Sequence, residues 1–155
     1  MRKTLPIAAA AIASVLVVAY VAQARAPQGR QATVVHVIEH ATTDLVIDTG
    51  PVGDSSGDLL TFANEVFDED NAEKVGRNQG DCIRINVIEG SWECRWITFL
   101  KGGAITVEGP VYDAKNSVLV ITGGRGEYKG AGGSMELKVL PDLSGYDFIF
   151  HVLAN

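Results

Sequence analysis

The sequence is poor in basic residues. It has 13 Lys and Arg against 19 Asp and Glu among 155 residues, a formal net charge of −6, and the basic residues form no long run. Nucleic acids and anionic membrane surfaces attract proteins through clustered positive charge. We therefore expect neither nucleic acid nor an anionic membrane surface as a partner.

A phosphate-binding loop is also missing, although one stretch is rich in glycine. Residues 122–133 read TGGRGEYKGAGG, with six glycines in twelve positions, but the pattern GxxxxGK[ST] does not occur. A phosphate loop needs a helix directly behind it. Here the next residues, SMELKVL, alternate polar and apolar side chains, which is the period of a strand. The glycines are therefore predicted to connect two strands.

Helical periodicity is absent as well, and strand-like runs take its place. Nine of them follow one another: Ala32–His40, Asp44–Asp48, Leu59–Phe67, Lys74–Val87, Ser91–Leu100, Ala104–Val111, Val118–Thr122, Ser134–Leu140 and Asp147–Leu153. Turn signals such as DEDN, KGG and DLSG separate the runs. Eight or nine strands at this spacing predict an all-β barrel or sandwich.

The first 24 residues have the pattern of a secretory signal peptide. Arg2 and Lys3 precede an apolar run from Ile7 to Val21, and Ala22 and Ala24 fit the small-residue cleavage pattern. The alternative is an uncleaved anchor helix, for which the apolar run is short.

Cleavage after Ala24 leaves a polar linker over residues 25–31 and one domain over residues 32–155. Without Arg2 and Lys3, 11 basic residues stand against 19 acidic ones, so the net charge moves from −6 to −8. We expect an acidic, secreted or periplasmic protein with a single core.

A hairpin around the text EGS defines the faces of two long strands. A three-residue loop at residues 89–91 predicts three facing pairs on one side of the sheet: Asn86 with Cys94, Arg84 with Trp96, and Cys82 with Thr98. A second turn at Gly102-Gly103 places Val107 opposite Thr98, and puts Val111 on the same face.

The two cysteines give conflicting signals. In an exported chain, Cys82 and Cys94 would by default form a disulfide. In the predicted register they lie four residues apart along the ladder, roughly 13 Å, which is too far for a bond. A one-residue bulge near Asn86 would remove this objection. Both outcomes therefore stay open.

Histidines and acidic residues do not form a metal pattern. His36 and His40 share a face of one strand, and His151 would be the third ligand, but strand residues four apart stand roughly 13 Å from each other. The acidic text at residues 68–70 lacks the spacing of a calcium loop. We expect no metal and no cofactor.

Four segments in order resemble the allene oxide cyclase and dirigent protein superfamily: GDLLTFAN at 57–64, KVGRNQGDC at 74–82, ITVEGPVY at 105–112 and VLVITGGRGEYKGAGGSMEL at 118–137. The resemblance implies an eight-stranded antiparallel β-barrel with a largely apolar lumen. It also implies a homo-oligomer, usually a trimer, and a small hydrophobic organic ligand as partner.

Site residues follow from the resemblance only where the text lines up. It implies pocket roles for Asn64 and Cys82, and a catalytic role for Glu39, the only carboxylate in the text HVIEH. The pocket tyrosine of the cyclases would fall at Val111, whereas here the tyrosine is Tyr112, on the opposite face.

The predicted site therefore has two catalytic residues, Glu39 and Asn64. The predicted ligand-binding residues are Leu60, Phe62, Cys82, Arg84, Trp96, Thr98, Val107 and Val111. Arg84 is interpreted either as a clamp for a ligand anion or as an arginine at the barrel mouth that reaches water or pairs with Glu39. Asn64 could instead be a buried amide that ties down backbone groups, and Cys82 a small core residue or half of a disulfide.

Two functions fit this pattern. The first is an isomerase or cyclase that acts by binding and shaping a reactive substrate. The second is a non-catalytic, dirigent-like or binding protein that steers stereoselective coupling.

Overall fold

The computed structural model describes residues 32–153, which form strands and no helix. The strands are β1 (Ala32–His40), β2 (Leu45–Ile47), β3 (Leu59–Phe62), β4 (Glu65–Phe67), β5 (Lys74–Asn86), β6 (Ser91–Leu100), β7 (Gly103–Tyr112), β8 (Ser117–Gly126), β9 (Gly132–Val139) and β10 (Gly145–Leu153). A helix with the length and hydropathy to cross a bilayer is not found among these residues. The predicted leader and linker lie outside them.

The strands close into one antiparallel barrel. Neighbours from β5 to β10 pair in chain order, β10 pairs with β1, and β4 joins β1 back to β5. β3 and β4 pair with successive parts of β5, so together they act as one interrupted strand. The barrel therefore has eight strands, with β2 as an extra edge on β3. The predicted all-β, eight-stranded barrel is confirmed.

The predicted register of the first hairpin is wrong. Asn86 pairs with Ser91, Arg84 with Trp92, and Cys82 with Cys94, and a bulge falls between Arg84 and Asn86. The cause is the turn: the Asn86 side-chain oxygen accepts hydrogen bonds from the backbone N–H groups of residues 88 and 89, so the chain reverses earlier than expected. Every even residue of β5 keeps its predicted face.

The new register brings the two cysteines together. Cys82 and Cys94 face each other with their Cα atoms 4.0 Å apart, and they form a disulfide. The bulge beside Asn86 and the longer turn remove the geometric objection raised by the predicted pairing. Of the two outcomes left open by the sequence, the bond is the one observed.

The second hairpin is also shifted, by two residues. Leu100 pairs with Gly103, so the turn lies at Lys101 and Gly102, and Thr98 faces Ile105 in place of Val107. Gly102 has a φ of 88°, a conformation that favours glycine. A shift of two residues leaves every side chain on its predicted face.

The glycine-rich stretch connects strands, as predicted. β8 runs to Gly126 and β9 starts at Gly132, with a turn between them. The described residues after the glycines, up to residue 153, form strands and no helix. The connection therefore lacks the helix N-terminus that a phosphate loop requires.

Alternation along the strands gives the barrel its core. One end of the lumen is filled by five residues with no exposed surface, which we call the sealed core: Val66, Ile105, Val107, Met135 and Phe150. Burying each such side chain contributes about 1.5–3 kcal/mol. The other end of the lumen is open, and it contains the candidate site.

Candidate functional site

A break in two neighbouring strands builds the polar part of the site. The β3–β4 strand is interrupted at Ala63 and Asn64, and the β1–β2 strand is interrupted at residues 41–44. The Asn64 side-chain oxygen accepts hydrogen bonds from the backbone N–H groups of Thr42 and Thr43, at 3.1 and 2.9 Å, and from the Thr43 hydroxyl, at 2.8 Å. Asn64 therefore holds the broken edge together.

The same asparagine holds two carboxyl groups. Its Nδ2 donates to Glu39 Oε1 at 3.0 Å and to Asp44 Oδ1 at 2.7 Å. Both ends of the buried Asn64 amide are thus engaged by protein groups. These are the contacts of a buried amide that ties down backbone groups, which is one of the two roles that the sequence left open; the catalytic role of Asn64 stays a prediction.

A second amide completes the cradle around Glu39. Asn78 on β5 donates from Nδ2 to the same oxygen, Glu39 Oε1, at 2.6 Å. Asn78 also exchanges hydrogen bonds with the Asn64 backbone, at 3.1 and 2.8 Å. One carboxyl oxygen of Glu39 therefore accepts two hydrogen bonds, while Oε2 has no hydrogen-bond partner among the described residues.

Burial makes Glu39 a weak acid. Its side chain is 3% exposed, and burial raises its pKa from 4.5 to about 7, with the hydrogen bonds from Asn78 and Asn64 opposing the rise and the Asp44 charge adding to it. At neutral pH the protonated and ionised forms are both populated. A group of this kind can give or take a proton near neutrality.

The free side of Glu39 faces a cavity in the lumen. The enclosed part is small, about 40 Å³, and is lined by Glu39 and Asp44 together with Leu60, Phe62, Cys82, Cys94, Trp96, Val111, Leu137, Tyr146 and Phe148. Aromatic rings form much of the wall. The ring centroid of Trp96 lies 5.3 Å from that of Phe148 and 6.0 Å from that of Phe62. The enclosed space is little larger than one water molecule in the liquid, so a larger ligand must extend out of it.

A wider vestibule lies against this cavity on the open side. Its volume is about 360 Å³, and five of its lining residues also line the inner cavity: Asp44, Leu60, Cys94, Val111 and Tyr146. Burial and the Asp44, Glu39 and Asp113 charges raise the pKa of Tyr146 above its usual value. The two spaces together reach the range typical of small-molecule sites.

Arg84 lies at the mouth and is already paired. Its guanidinium contacts Asp54 through two hydrogen bonds, at 2.8 and 2.9 Å, and Asp113 through one, at 2.7 Å. The guanidinium also stacks on Trp92, with its central carbon 4.1 Å from the ring centroid. Trp92 Nε1 in turn donates to Asp113 at 2.9 Å. The predicted position of Arg84 opposite Trp96 is wrong, because β5 and β6 pair in a different register that places Trp92 there. The alternative pairing with Glu39 is wrong as well, because Asp54 and Asp113 hold the guanidinium.

The structure separates the remaining predicted site residues. Leu60, Phe62, Cys82, Trp96 and Val111 line the inner cavity around Glu39. Val107 is in the sealed core, and Thr98 is fully buried opposite Asn78 and Ile105. Neither of these two residues lines the cavity.

Sequence reasoning missed several residues of the site. Asn78 shares its face of β5 with Cys82 and Arg84, so the period of two could have found it. Asp44 and Tyr146 gave no such signal. Asp44 reaches the site only through the strand break, and Tyr146 precedes the predicted start of the last strand.

Several other features that could suggest a site lie outside the lumen. A wide concavity of about 680 Å³ lies on the outer face across β3, β5 and β6, and Asp81 and Arg95 are its charged residues. Among residues 32–153 no three His, Cys, Asp or Glu side chains are grouped to hold a metal ion. His36, His40 and His151 pair separately with Asp147, Asn71 and Glu136.

A closed barrel with an aromatic-lined lumen and a buried carboxyl group defines a class of small-molecule barrels. The chain belongs to the allene oxide cyclase family, whose sequence model matches residues 30–153. The resemblance read from the four sequence segments is thus confirmed.

Solved structures of low sequence identity share the fold. A pyocyanin demethylase has a TM-score of 0.66 at 19% identity, covering 76% of this chain and 100% of its own. A pterocarpan synthase dirigent protein has a TM-score of 0.65 at 15% identity, covering 80% and 85%. A Diels Alderase from Streptomyces koyangensis has a TM-score of 0.62 at 15% identity, covering 83% and 70%. Because the reactions named for these proteins differ, the structures show a shared barrel fold only. The chemistry of this chain has to be inferred from its own site.

Proposed function

We propose that this chain is an exported isomerase or cyclase that binds a small hydrophobic molecule in its lumen. The observation that carries the proposal is the Glu39 carboxyl group, with Oε1 held by two amides and Oε2 unpartnered among the described residues beside an aromatic-lined cavity. A fixed carboxyl group with a pKa of about 7 suits proton transfer at neutral pH.

The geometry assigns separate tasks to the two carboxyl oxygens. Oε1 is fixed by Asn64 and Asn78, so it orients the group. Oε2 is the atom that meets the substrate: protonated, it donates a hydrogen bond to a departing or developing oxygen, and ionised, it stabilises a developing positive charge. The aromatic walls hold the substrate in the conformation that closes or rearranges.

Isomerisation conserves mass, so substrate and product can be detected as a pair of equal mass before the substrate is identified. The purified protein is incubated with a small-molecule extract of the producing cells, and the mixture is followed by chromatography and mass spectrometry. We expect one feature to decline while another of identical mass grows at a different retention time. Glu39→Gln should lower this conversion by at least about 100-fold while keeping ligand affinity.

A matched control separates the site from general effects of charge. Glu136 lies on β9 and is paired with His151 and Lys138, outside the lumen. Glu136→Gln should convert at the rate of the natural protein. If conversion survives Glu39→Gln, or is lost equally in Glu136→Gln, the assigned role of Glu39 is wrong.

The second candidate is a non-catalytic, dirigent-like protein. It is favoured by the aromatic walls, because stacked rings fix the relative orientation of reactive aromatic partners. In this case no mass-neutral conversion occurs. The protein would instead change the enantiomer ratio of coupling products formed from a simple phenol by an added oxidant.

Export and assembly as a trimer stay predictions. The Cys82–Cys94 disulfide supports the first of these.

A further inference from the structure

The charged groups that line the lumen are all acidic. Glu39 and Asp44 line the inner cavity, and Asp44 and Asp113 line the vestibule. Within the described part of the chain, no Lys, Arg or His side chain lines either space. A ligand carboxylate would therefore meet negative charge at both levels of the site.

Arg84 does not change this balance. Its side chain is 7% exposed, and its guanidinium is held by Asp54 and Asp113 and stacks on Trp92. A ligand anion would have to displace one of these carboxylates to reach it. Arg84 is therefore not open for capturing an acid at the mouth.

The uncharged part of the wall favours a flat, apolar ligand body. Phe62, Trp96, Tyr146 and Phe148 present rings to the inner cavity. The ring centroids of Phe62 and Phe148 lie 6.0 and 5.3 Å from that of Trp96, so these rings form a continuous apolar surface on which a flat ligand can pack.

The position of the Trp96 side chain in this wall depends on a glycine. Gly80 faces Trp96 across the β5–β6 ladder, and a Cβ at Gly80 would collide with Trp96 and with the Arg95 carbonyl. The Trp96 backbone can therefore lie close against β5. This fixes the indole as part of the wall.

We propose that the lumen takes an aromatic molecule carrying a basic nitrogen, an arylalkyl amine or a basic N-heterocycle, in preference to a carboxylic acid. The rings stack on the aromatic wall, and the protonated nitrogen lies near Asp44. Asp44 accepts from Asn64 through Oδ1 only, so Oδ2 is the oxygen that meets the cation. This inference rests on the proposed function only in taking the lumen as the binding site.

A series of three probes of one shape tests the charge preference. The probes are 2-naphthylmethylamine, 2-naphthalenemethanol and 2-naphthoate, measured at neutral pH by calorimetry, with chemical-shift mapping of the lumen residues Leu60 and Leu137. We expect the amine to bind at least tenfold more tightly than the carboxylate, with the alcohol between them. Asp44→Asn keeps the oxygen that accepts from Asn64 and should reduce the difference to under threefold.

A control variant on the outer face completes the design. Asp81 is paired with Arg95 outside the barrel, so Asp81→Asn should leave the order unchanged. If all three probes map to the lumen with equal affinity, or the carboxylate binds most tightly, the charge preference is overturned while lumen binding stands. If no probe binds in the lumen, the proposed lumen-binding function fails together with this inference.

Discussion

The two ends of the barrel differ, although the side chains alternate in the same way in both: one end is fully packed, and the other encloses a cavity. In the sealed core, inward positions carry Val66, Ile105, Val107, Met135 and Phe150, all without exposed surface. In the open half, inward positions carry a carboxyl group, a tyrosine and aromatic rings that line an enclosed space. The same strands thus supply packing at one end and chemistry at the other.

The polar network lies where the two halves meet. Asn78 faces Thr98, and through Asn64 and Glu39 it reaches the open cavity. Because tight packing leaves these side chains little freedom, they are held in one arrangement. The packing where the two halves meet therefore keeps Glu39 in one orientation.

The largest expected effect contrasts one phenylalanine from each half. Phe150→Ala in the sealed core should lower the free energy of unfolding by about 3–5 kcal/mol, because it leaves a cavity that tight packing cannot close. Phe62→Ala should lower it by under about 2 kcal/mol, since Phe62 is half-buried and already borders empty space. Urea unfolding of both variants measures the difference. Equal losses would show that the open half is packed as tightly as the sealed core.

The next effect is a pH dependence of stability that belongs to Glu39. Because burial raises the pKa of Glu39 in the folded state, the folded state favours the proton, and its contribution to stability is present below pH 4.5 and lost as the pH rises through about 7. The loss is on the order of 3 kcal/mol. Unfolding of the natural protein and of Glu39→Gln at several pH values isolates it, since only the natural protein should show this slope. Parallel curves for the two proteins would mean that Glu39 ionises as an ordinary surface carboxylate.

The smallest expected effect is at the mouth. Arg84→Met removes the link between Asp54 and Asp113, but these carboxylates are 47% and 48% exposed and stay hydrated when released. The free energy of unfolding should therefore fall by only about 1 kcal/mol. Hydrogen exchange should accelerate at the Gly53 and Ser55 amides, which Asp48 and Asp58 hold in the mouth loop. Faster exchange in the sealed core as well would mean that the two halves do not open independently.

Much of the barrel could be predicted from the sequence, because the period of two assigns side chains to the correct face even where the pairing register is wrong. β1 and β6 begin and end where the alternation predicts, and the inward faces of β5, β6 and β7 were assigned correctly. The register of the first hairpin failed because one side chain, Asn86, sets the turn through its own hydrogen bonds, and that of the second failed because its turn lies at Lys101 and Gly102. Turn chemistry of this kind outweighs the spacing of glycines.

The site was only partly readable, for a different reason. Glu39 and Asn64 were found through family text, yet the role of Asn64 depends on hydrogen bonds to Thr42, Thr43 and Asp44 that exist only because two strands break side by side. The contact between Glu39 and Asn78 spans 39 residues of chain. Barrel closure creates such contacts, and local periodicity does not record them.

The most direct test of the proposed role of Glu39 is a titration of its carboxyl carbon by NMR in the unliganded protein, with Glu39→Gln used to assign the signal. We expect a midpoint of about 7. A midpoint near the ordinary value of 4.5 would contradict this role, because Glu39 would then be ionised throughout the neutral range and the barrel would lack the weak acid on which the proposed chemistry depends.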